Sequence, residues 1–182
     1  MIDFTKSKQY TLSIRLSTDG FSFSIYNPIH DDSLSIIEKE IDTSLSLTAN
    51  LKAVFHESDF LNHPYKRVNI MMASKRFTIA PLDLFEEGQA ELLFYHNHQK
   101  RENETVLYNI LRKNNVAVIF GIDKSAQTFL NEQYPEARFY SQSTPFIDYF
   151  SVKSRLGNSK KMYASIRKDG IDIYCFERGH LL

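Results

Sequence analysis

One phrase occurs near both ends of this chain and sets the main constraint on its fold. Ser13-Ile14-Arg15 leads to Asp19-Gly20, and Ser165-Ile166-Arg167 leads to Asp169-Gly170. Each Asp-Gly pair stands between two strands of alternating apolar and polar residues, which predicts a β-hairpin whose turn uses positive φ angles. The spacing between triplet and turn differs by two residues, so the same strand face is predicted to be buried in both copies.

The repeat predicts a duplicated domain of which the second copy is incomplete. We expect residues 1–157 to form the first domain, with about 74–112 as an inserted subdomain, and residues 158–182 to be the opening hairpin of the second. A lone two-stranded hairpin is marginally stable at best. This hairpin would therefore dock on the first domain, pair with a second molecule as a homodimer, or be the start of a longer natural protein, and we favour the last.

The segments between the hairpins change their hydrophobic period several times. A third alternating strand at 34–41 extends the first hairpin, and Leu47, Leu51, Val54 and Phe55 repeat at helical spacing. Further strands are predicted at 68–72, 76–79, 105–111, 116–120 and 138–140. This mixed order predicts an α/β fold with a three-stranded antiparallel start and helices packed on a central sheet.

Three more helices are predicted from residues that favour a helix start. Asp123 is a good N-cap, Pro81 suits a first turn, and Thr144-Pro145 supplies both a cap and a first turn. Each helix has a predicted set of inward residues. After Asp123 they are Ala126, Phe129, Leu130 and Tyr134; after Pro81 they are Leu82, Phe85, Leu92 and Leu93; after Thr144 they are Phe146, Tyr149, Phe150 and Leu156.

The composition excludes several classes of protein. The chain has 182 residues with 22 Lys+Arg against 22 Asp+Glu, and this neutrality argues against a protein that mainly grips nucleic acid. Hydrophobic residues make up 42%, which is too many for a disordered chain of this charge. A single Cys excludes an internal disulfide framework, and no apolar run approaches the roughly 20 residues that span a bilayer. We therefore expect a cytoplasmic protein.

Few residues have the spacing that catalysis or metal binding requires. His96 and His98 would share one face of a strand, but no third ligand completes a metal site. His56-Glu57 and His63 do not form a His-Glu-x-x-His motif, because the second His lies three residues too far along the chain. Cys175 lies in a predicted strand, where a buried structural thiol is expected. We therefore predict no metal site and assign no catalytic residue.

Several hydrophobic phrases resemble those of a known fold class. They are Leu12-Ser13-Ile14, Phe77-Thr78-Ile79-Ala80-Pro81 followed by Leu84-Phe85, Val116-Ala117-Val118 before Asp123, and Pro135-Glu136-Ala137-Arg138-Phe139. Together they resemble the actin-like ATPase fold, whose domains are ribonuclease-H-like, and within it the assembly proteins of type IV pili and type II secretion. With Asp-Gly-Phe-Ser-Phe-Ser-Ile-Tyr at 19–26, the chain is similar to the DUF3822 family of uncharacterised Bacteroidetes proteins.

The resemblance implies a mixed sheet with flanking helices over nearly the whole chain, and it implies fold more than function. Actin-like ATPases place an Asp at the end of the first strand and follow it with a small-residue turn that holds phosphate. Here the first strand ends in Arg15-Leu16-Ser17-Thr18, and the second copy has Arg167-Lys168-Asp169-Gly170. We therefore expect an interaction or scaffold protein with an unknown protein partner, no cofactor and no ATP hydrolysis.

Two other functions are weighed against that expectation. A nucleotide-binding member of the actin-like superfamily, acting in an assembly process, would hold ATP and Mg²⁺ through Thr18, Asp19 and Gly20 in one copy, and through Lys168, Asp169 and Gly170 in the other. Nucleic-acid processing on a ribonuclease-H-like core needs several carboxylates to hold Mg²⁺. The first strand instead offers Ser13, Arg15 and Ser17, which disfavours that chemistry.

Overall fold

The computed structural model describes residues 2–28, 34–167 and 170–182. The chain forms two compact units, the first made of Met1–Ser74, Arg101–Thr105 and Ile122–Tyr140, and the second of Lys75–Lys100, Val106–Gly121 and Ser141–Leu182. Strands and helices are interspersed along the chain, which confirms the α/β class.

The strands of the described residues are β1 (Thr11–Ser17), β2 (Gly20–Tyr26), β3 (Leu34–Lys39), β4 (Arg67–Ala73), β5 (Phe77–Pro81), β6 (Glu104–Leu111), β7 (Val116–Asp123), β8 (Arg138–Ser141), β9 (Lys160–Arg167), β10 (Gly170–Glu177) and β11 (His180–Leu181). The α-helices are α1 (Leu47–Glu57), α2 (Ala90–Asn97), α3 (Lys124–Gln133) and α4 (Ser143–Ser154). Short 3₁₀ turns lie at Phe4–Gln9, Asp59–Asn62, Leu82–Leu84, Glu87–Gln89 and Arg112–Asn114.

The first unit is built on a mixed sheet whose order, within the described residues, is β3-β2-β1-β4-β8. β2 runs antiparallel to both β1 and β3, so the predicted three-stranded antiparallel start is confirmed. β1 pairs in parallel with β4, and the register places Ile14 beside Ile70. Leu12, Ile14 and Leu16 are fully buried along one face of β1, as the alternating pattern requires.

Helices α1 and α3 pack together in this unit. The rings of Phe55 and Phe129 meet edge to face at 5.1 Å, and Leu51 and Leu130 are fully buried. Tyr134, just after α3, donates its hydroxyl to the carbonyl oxygen of Leu61 at 2.6 Å. The helical spacing of the apolar residues predicted both helices correctly.

The second unit contains two sheets of described strands, in the orders β5-β7-β6 and β11-β10-β9. Residues 116–122 of β7 are all buried, as its continuous apolar run predicts. Successive residues of this strand enter different hydrophobic clusters: Val118 packs with Ile147 and Phe176, whereas Ile119 packs with Phe94. α4 lies against β9 and β10, and α2 against β5.

The prediction that Pro81 begins a helix is wrong. Pro81 is the last residue of β5 and pairs with Val116, and the next amide, that of Leu82, donates to the carbonyl of Asn115 at 2.9 Å. Two 3₁₀ turns follow before α2 begins at Ala90. The inward side of α2 is formed by Ala90 and Phe94, while Leu92 is exposed.

The prediction for α4 is wrong at its start and in part of its inward face. The helix begins at Ser143 rather than at a Thr144 cap, and Tyr149 and Leu156 are exposed. Phe146 and Phe150 do pack against the core. Besides Ile147, the fully covered positions hold small polar residues, which bury readily because they form internal hydrogen bonds such as that from Thr144 Oγ1 to Asn109 Oδ1 at 2.7 Å.

The turn of the first hairpin lies one residue earlier than predicted. Ser17 pairs with Gly20, so the two turn residues are Thr18 and Asp19, and neither has a positive φ. Gly20 opens β2 with φ of +146°, and a Cβ atom there would lie 2.9 Å from the carbonyl oxygen of Lys39. Glycine is therefore required by the packing of β3 on the hairpin as well as by the backbone angle.

The prediction that both hairpins bury the same face is also wrong. Ile14 of the first hairpin is fully buried, whereas Ile166 of the second is 78% exposed. β9 and β10 bury their opposite face, through Tyr174 and Phe176. The second hairpin therefore presents an apolar face to solvent.

Candidate functional site

The turn predicted to contact nucleotide in the first unit is closed by its own side chains. Asp19 Oδ1 accepts a hydrogen bond from Ser17 Oγ, and Arg15 Nη1 lies 3.9 Å from the same carboxylate oxygen. The amide of Asp19 points back to Ser17 Oγ at 3.5 Å. Thr18 and Asp19 are exposed. The carboxylate of this turn is thus engaged in holding the hairpin together.

The corresponding turn of the second unit is described only at Gly170, since Lys168 and Asp169 lie outside the described residues. Gly170 pairs with Arg167 in the register that Gly20 has with Ser17. A Cβ atom on Gly170 would lie 3.3 Å from Cε of Lys75. The Lys75 side chain therefore occupies the space directly over this glycine.

An enclosed ion pair lies beside that turn. Asp172 Oδ2 accepts hydrogen bonds from Arg167 Nη1 and, at 3.0 Å, from Gln142 Nε2, and both charged side chains are largely buried. Tyr174 donates its hydroxyl to Ser143 Oγ at 3.2 Å, and burial raises the pKa of that phenol. These bonds join β9 and β10 to the start of α4. Removal of one charged side chain would be destabilising, because the other charge would remain buried without its partner.

Two of the histidines singled out in the sequence, His98 and His63, have structural partners. His98 Nε2 lies 3.1 Å from the carbonyl oxygen of Phe77, and its ring packs on Phe94 with centroids 4.5 Å apart. His63 stacks on Phe4 at 5.0 Å and lies 3.4 Å from a carboxylate oxygen of Asp59. Within the described residues, no group of three His, Cys, Asp or Glu side chains is placed to hold a metal ion.

Each unit also has an open groove. The groove of the first unit, of about 440 Å³, is lined by Lys52, Lys124 and Glu132 among others. The groove of the second, of about 710 Å³, runs beside α4 and includes Asp148 and Arg155. Both grooves are lined by charged residues of both signs.

The most prominent surface of the second unit is apolar. On one face of the second hairpin, the side chains of Met162, Ile166, Ile171 and Ile173 are 59–78% exposed. Ala164 and Cys175 belong to the same face by the strand alternation, Ala164 being exposed and Cys175 half-buried. We call these six residues the β9–β10 apolar face. Scattered exposed apolar residues are ordinary, but a contiguous set marks an interaction site.

Sequence reasoning missed this face because it assigned the alternating residues to a buried side. A usable signal was present, since both faces of 160–177 carry large apolar residues: Met162 and Ile166 on one, Tyr174 and Phe176 on the other. Strands that are apolar on both faces are typical of sheets covered on both sides.

No helix among the described residues is long and apolar enough to cross a membrane.

Comparison with solved structures defines the class of protein. A crystal structure from Bacteroides thetaiotaomicron VPI-5482, described as a protein with actin-like ATPase fold and unknown function, is 85% identical to this chain with a TM-score of 0.96. The match covers 100% of this chain and 71% of that one. The protein therefore has the actin-like ATPase fold.

The particular family follows from the sequence match. The model of DUF3822, a family described as protein of unknown function, matches residues 1–182, and the chain belongs to this family. A more distant structure, that of the PilM–PilN type IV pilus biogenesis complex, has 11% identity and a TM-score of 0.51, with 94% of this chain and 59% of that one covered. None of the curated proteins matches the chain.

Proposed function

We propose that this protein is a cytoplasmic interaction or scaffold module of actin-like fold that does not hydrolyse ATP. The observation that carries the proposal is the state of the first hairpin turn. Its carboxylate, Asp19, is bonded to Ser17 and lies beside Arg15, so it serves the hairpin and is not left to orient a metal-bound nucleotide. Fold alone does not imply catalysis.

The glycines of the two turns support the same proposal. A phosphate-binding turn uses glycine so that a ligand can approach the backbone closely. Here the space over Gly20 holds the carbonyl oxygen of Lys39, and the space over Gly170 holds the side chain of Lys75. Each glycine thus accommodates a neighbouring part of its own unit.

A role in a protein assembly fits the composition and the comparisons. The neutral charge gives no basis for nucleic-acid binding, and the β9–β10 apolar face supplies an area that a protein partner would cover. One of the solved structures of the same fold is a biogenesis complex of two proteins, PilM and PilN. The cytoplasmic placement rests on the single Cys, which gives no basis for a disulfide framework.

We also propose that the chain contains a duplication, with residues 1–157 as the first copy, about 74–112 inserted in it, and 158–182 as the opening hairpin of the second. The pairing of the two hairpins supports the duplication. In each, a glycine opens the second strand, opposite Ser17 in the first hairpin and Arg167 in the second.

The alternative is an ATP-binding member of the actin-like superfamily that acts in an assembly process. The repeated glycine at the start of β2 and β10 favours it, since Thr18-Asp19-Gly20 and Lys168-Asp169-Gly170 would then supply backbone contacts to ATP. In that case nucleotide would stabilise the folded protein, by about 2.7 kcal/mol at a hundred times its dissociation constant.

Thermal shift with millimolar Mg-ATP and Mg-ADP separates the two functions. It should be run on this chain and on the whole Bacteroides relative, together with a phosphate-release assay. The interaction role predicts no shift and no release in either protein. A shift that is lost in Thr18→Glu but kept in Thr43→Glu, another exposed threonine, would establish nucleotide binding at the turn and overturn the proposal.

A further inference from the structure

The β9–β10 apolar face is formed by cross-strand neighbours. Ile166 pairs with Ile171, Ala164 with Ile173, and Met162 with Cys175. Cross-strand neighbours on one face stand about 4.5–5.5 Å apart, so these six side chains form one continuous surface. Four of them are more than half exposed.

The other face of the same hairpin is already covered within the second unit. Tyr174 and Phe176 are buried there, in a cluster that includes Phe146 and Phe150 of α4. The stacked rings of Phe150 and Tyr163, with centroids 4.3 Å apart, belong to the same contact. α4 therefore covers one face of the hairpin, and the β9–β10 apolar face on the opposite side is exposed to solvent.

In the first hairpin, the face equivalent to the β9–β10 apolar face is buried. Alignment on the glycines that open β2 and β10 matches each residue of the β9–β10 apolar face with a fully or almost fully buried residue of the first hairpin. The matched pairs are Met162 with Leu12, Ala164 with Ile14, Ile166 with Leu16, Ile171 with Phe21, Ile173 with Phe23, and Cys175 with Ile25. All six positions are apolar in both hairpins.

The strand edges differ in the same way. In the first hairpin, the outer edge of β1 is occupied by β4, which adds in parallel and follows helix α1 in the chain. In the second hairpin, β9 is at the edge of its sheet as far as the described residues extend. An edge strand presents unpaired backbone groups to which another strand can add. The second hairpin thus differs from the first both on its apolar face and at its outer edge.

We propose that the second hairpin is a docking surface for a polypeptide segment that supplies one strand and one amphipathic helix. The strand adds in parallel to β9, and the helix lays its apolar stripe on the β9–β10 apolar face. α1 illustrates such a helix, with Leu51, Val54 and Phe55 buried on one side of its 11 residues. This inference deepens the proposed interaction role, on which it rests, by naming the surface and the chemistry of the partner.

The 85% identical relative supplies a candidate for this partner. The match leaves more than a quarter of that chain uncovered, which is ample for a helix and a strand of the lengths of α1 and β4, 11 and 7 residues. A segment of the relative can therefore be offered to this chain as a separate polypeptide.

Coexpression tests the proposal directly. The probe is the part of the Bacteroides relative outside the match, fused to a solubility carrier and coexpressed with this whole chain, and the complex is isolated through the carrier and sized by light scattering. We expect a one-to-one complex, with capture at least tenfold weaker for Ile166→Lys and for Ile173→Lys, because each would bury a charge in an apolar contact. The carrier alone should capture nothing.

A matched variant controls for a general effect of added charge. Leu92 of α2 is 70% exposed and lies outside the face, so Leu92→Lys should leave capture unchanged. All three substituted side chains are exposed, and the circular dichroism melting curves of the variants should match that of the wild type. Absence of the complex with the wild type, or equal capture by all variants, would overturn the inference. The thermal-shift and phosphate-release results with ATP would be unaffected by either outcome. Dimers of this chain alone that Ile166→Lys abolishes would also overturn it, since a second copy would then cover the face.

Discussion

The N-terminus of α3 offers a quantitative test of how much one capping carboxylate contributes to the stability of this fold. Asp123 Oδ1 accepts the amide of Ala126 at 2.8 Å and the hydroxyl of Thr48 at 3.3 Å, and Oδ2 accepts the side-chain amide of Asn103 at 2.7 Å. One carboxylate therefore caps α3, contacts α1 and fixes the segment before β6. Asp123→Ala removes all three bonds.

The magnitude of this change follows from the individual bonds. Loss of an N-cap side chain costs about 1 kcal/mol, within a range of about 0.5–2. Asn103 and Thr48 are accessible enough for water to replace the lost acceptor, so they add about 0.5 kcal/mol in total. The expected loss in the free energy of unfolding is about 1.5 kcal/mol, which corresponds to about 3–6 °C in melting temperature for a chain of this size.

Urea unfolding followed by circular dichroism measures this loss. Asp123→Asn keeps an acceptor at the cap and should retain most of the stability. Asp3→Ala is the matched control, because Asp3 caps only the exposed 3₁₀ turn at Phe4–Gln9 and should cost less than about 0.5 kcal/mol. The reasoning is refuted if Asp123→Ala unfolds like the wild type, or if the Asn variant loses as much as the Ala variant.

Two further predictions concern the first hairpin and alkaline pH. Gly20→Ala forces a Cβ against the carbonyl oxygen of Lys39 at a φ of +146° and should cost about 1–3 kcal/mol in urea unfolding, whereas Gly88→Ala, with open space around it, should cost nothing; equal stability of the two variants would contradict the packing argument. Burial raises the pKa of Tyr65, which donates to the carbonyl of Phe60, to about 12. The stability contributed by its neutral phenol is complete below pH 10 and is lost as pH rises towards 12, since the unfolded chain releases the proton first. Tyr65→Phe should therefore show a shallower loss of stability between pH 10 and 12, and identical slopes would count against this cause.

Local signals in the sequence were sufficient where a residue acts on its own neighbours. The Asp123 cap, the α1 stripe and the buried run of β7 depend on periodicity and on one hydrogen bond, and the structure confirms them. Pro81 shows the limit. A proline suits both a helix start and a strand end, and the choice is made by pairing with Val116, which is 35 positions further along the chain.

Burial of the second hairpin could not be predicted for a related reason. Alternation in β9 and β10 shows which side chains share a face, but it does not show whether anything covers that face. The six buried positions of the first hairpin depend on elements contributed from elsewhere in its unit. The candidate site was therefore visible in the sequence as a pattern and identifiable as a surface only from the exposure of Ile166 and its neighbours.

Two sulfur atoms share the β9–β10 apolar face, because Met162 pairs with Cys175 across the strands. Met162 is 69% exposed, so oxidants reach its thioether directly. Oxidation to the sulfoxide replaces an apolar, flexible side chain with a polar one and is reversed only by a dedicated reductase. The area of apolar surface that this hairpin can offer a partner is therefore tied to the redox state of one exposed methionine.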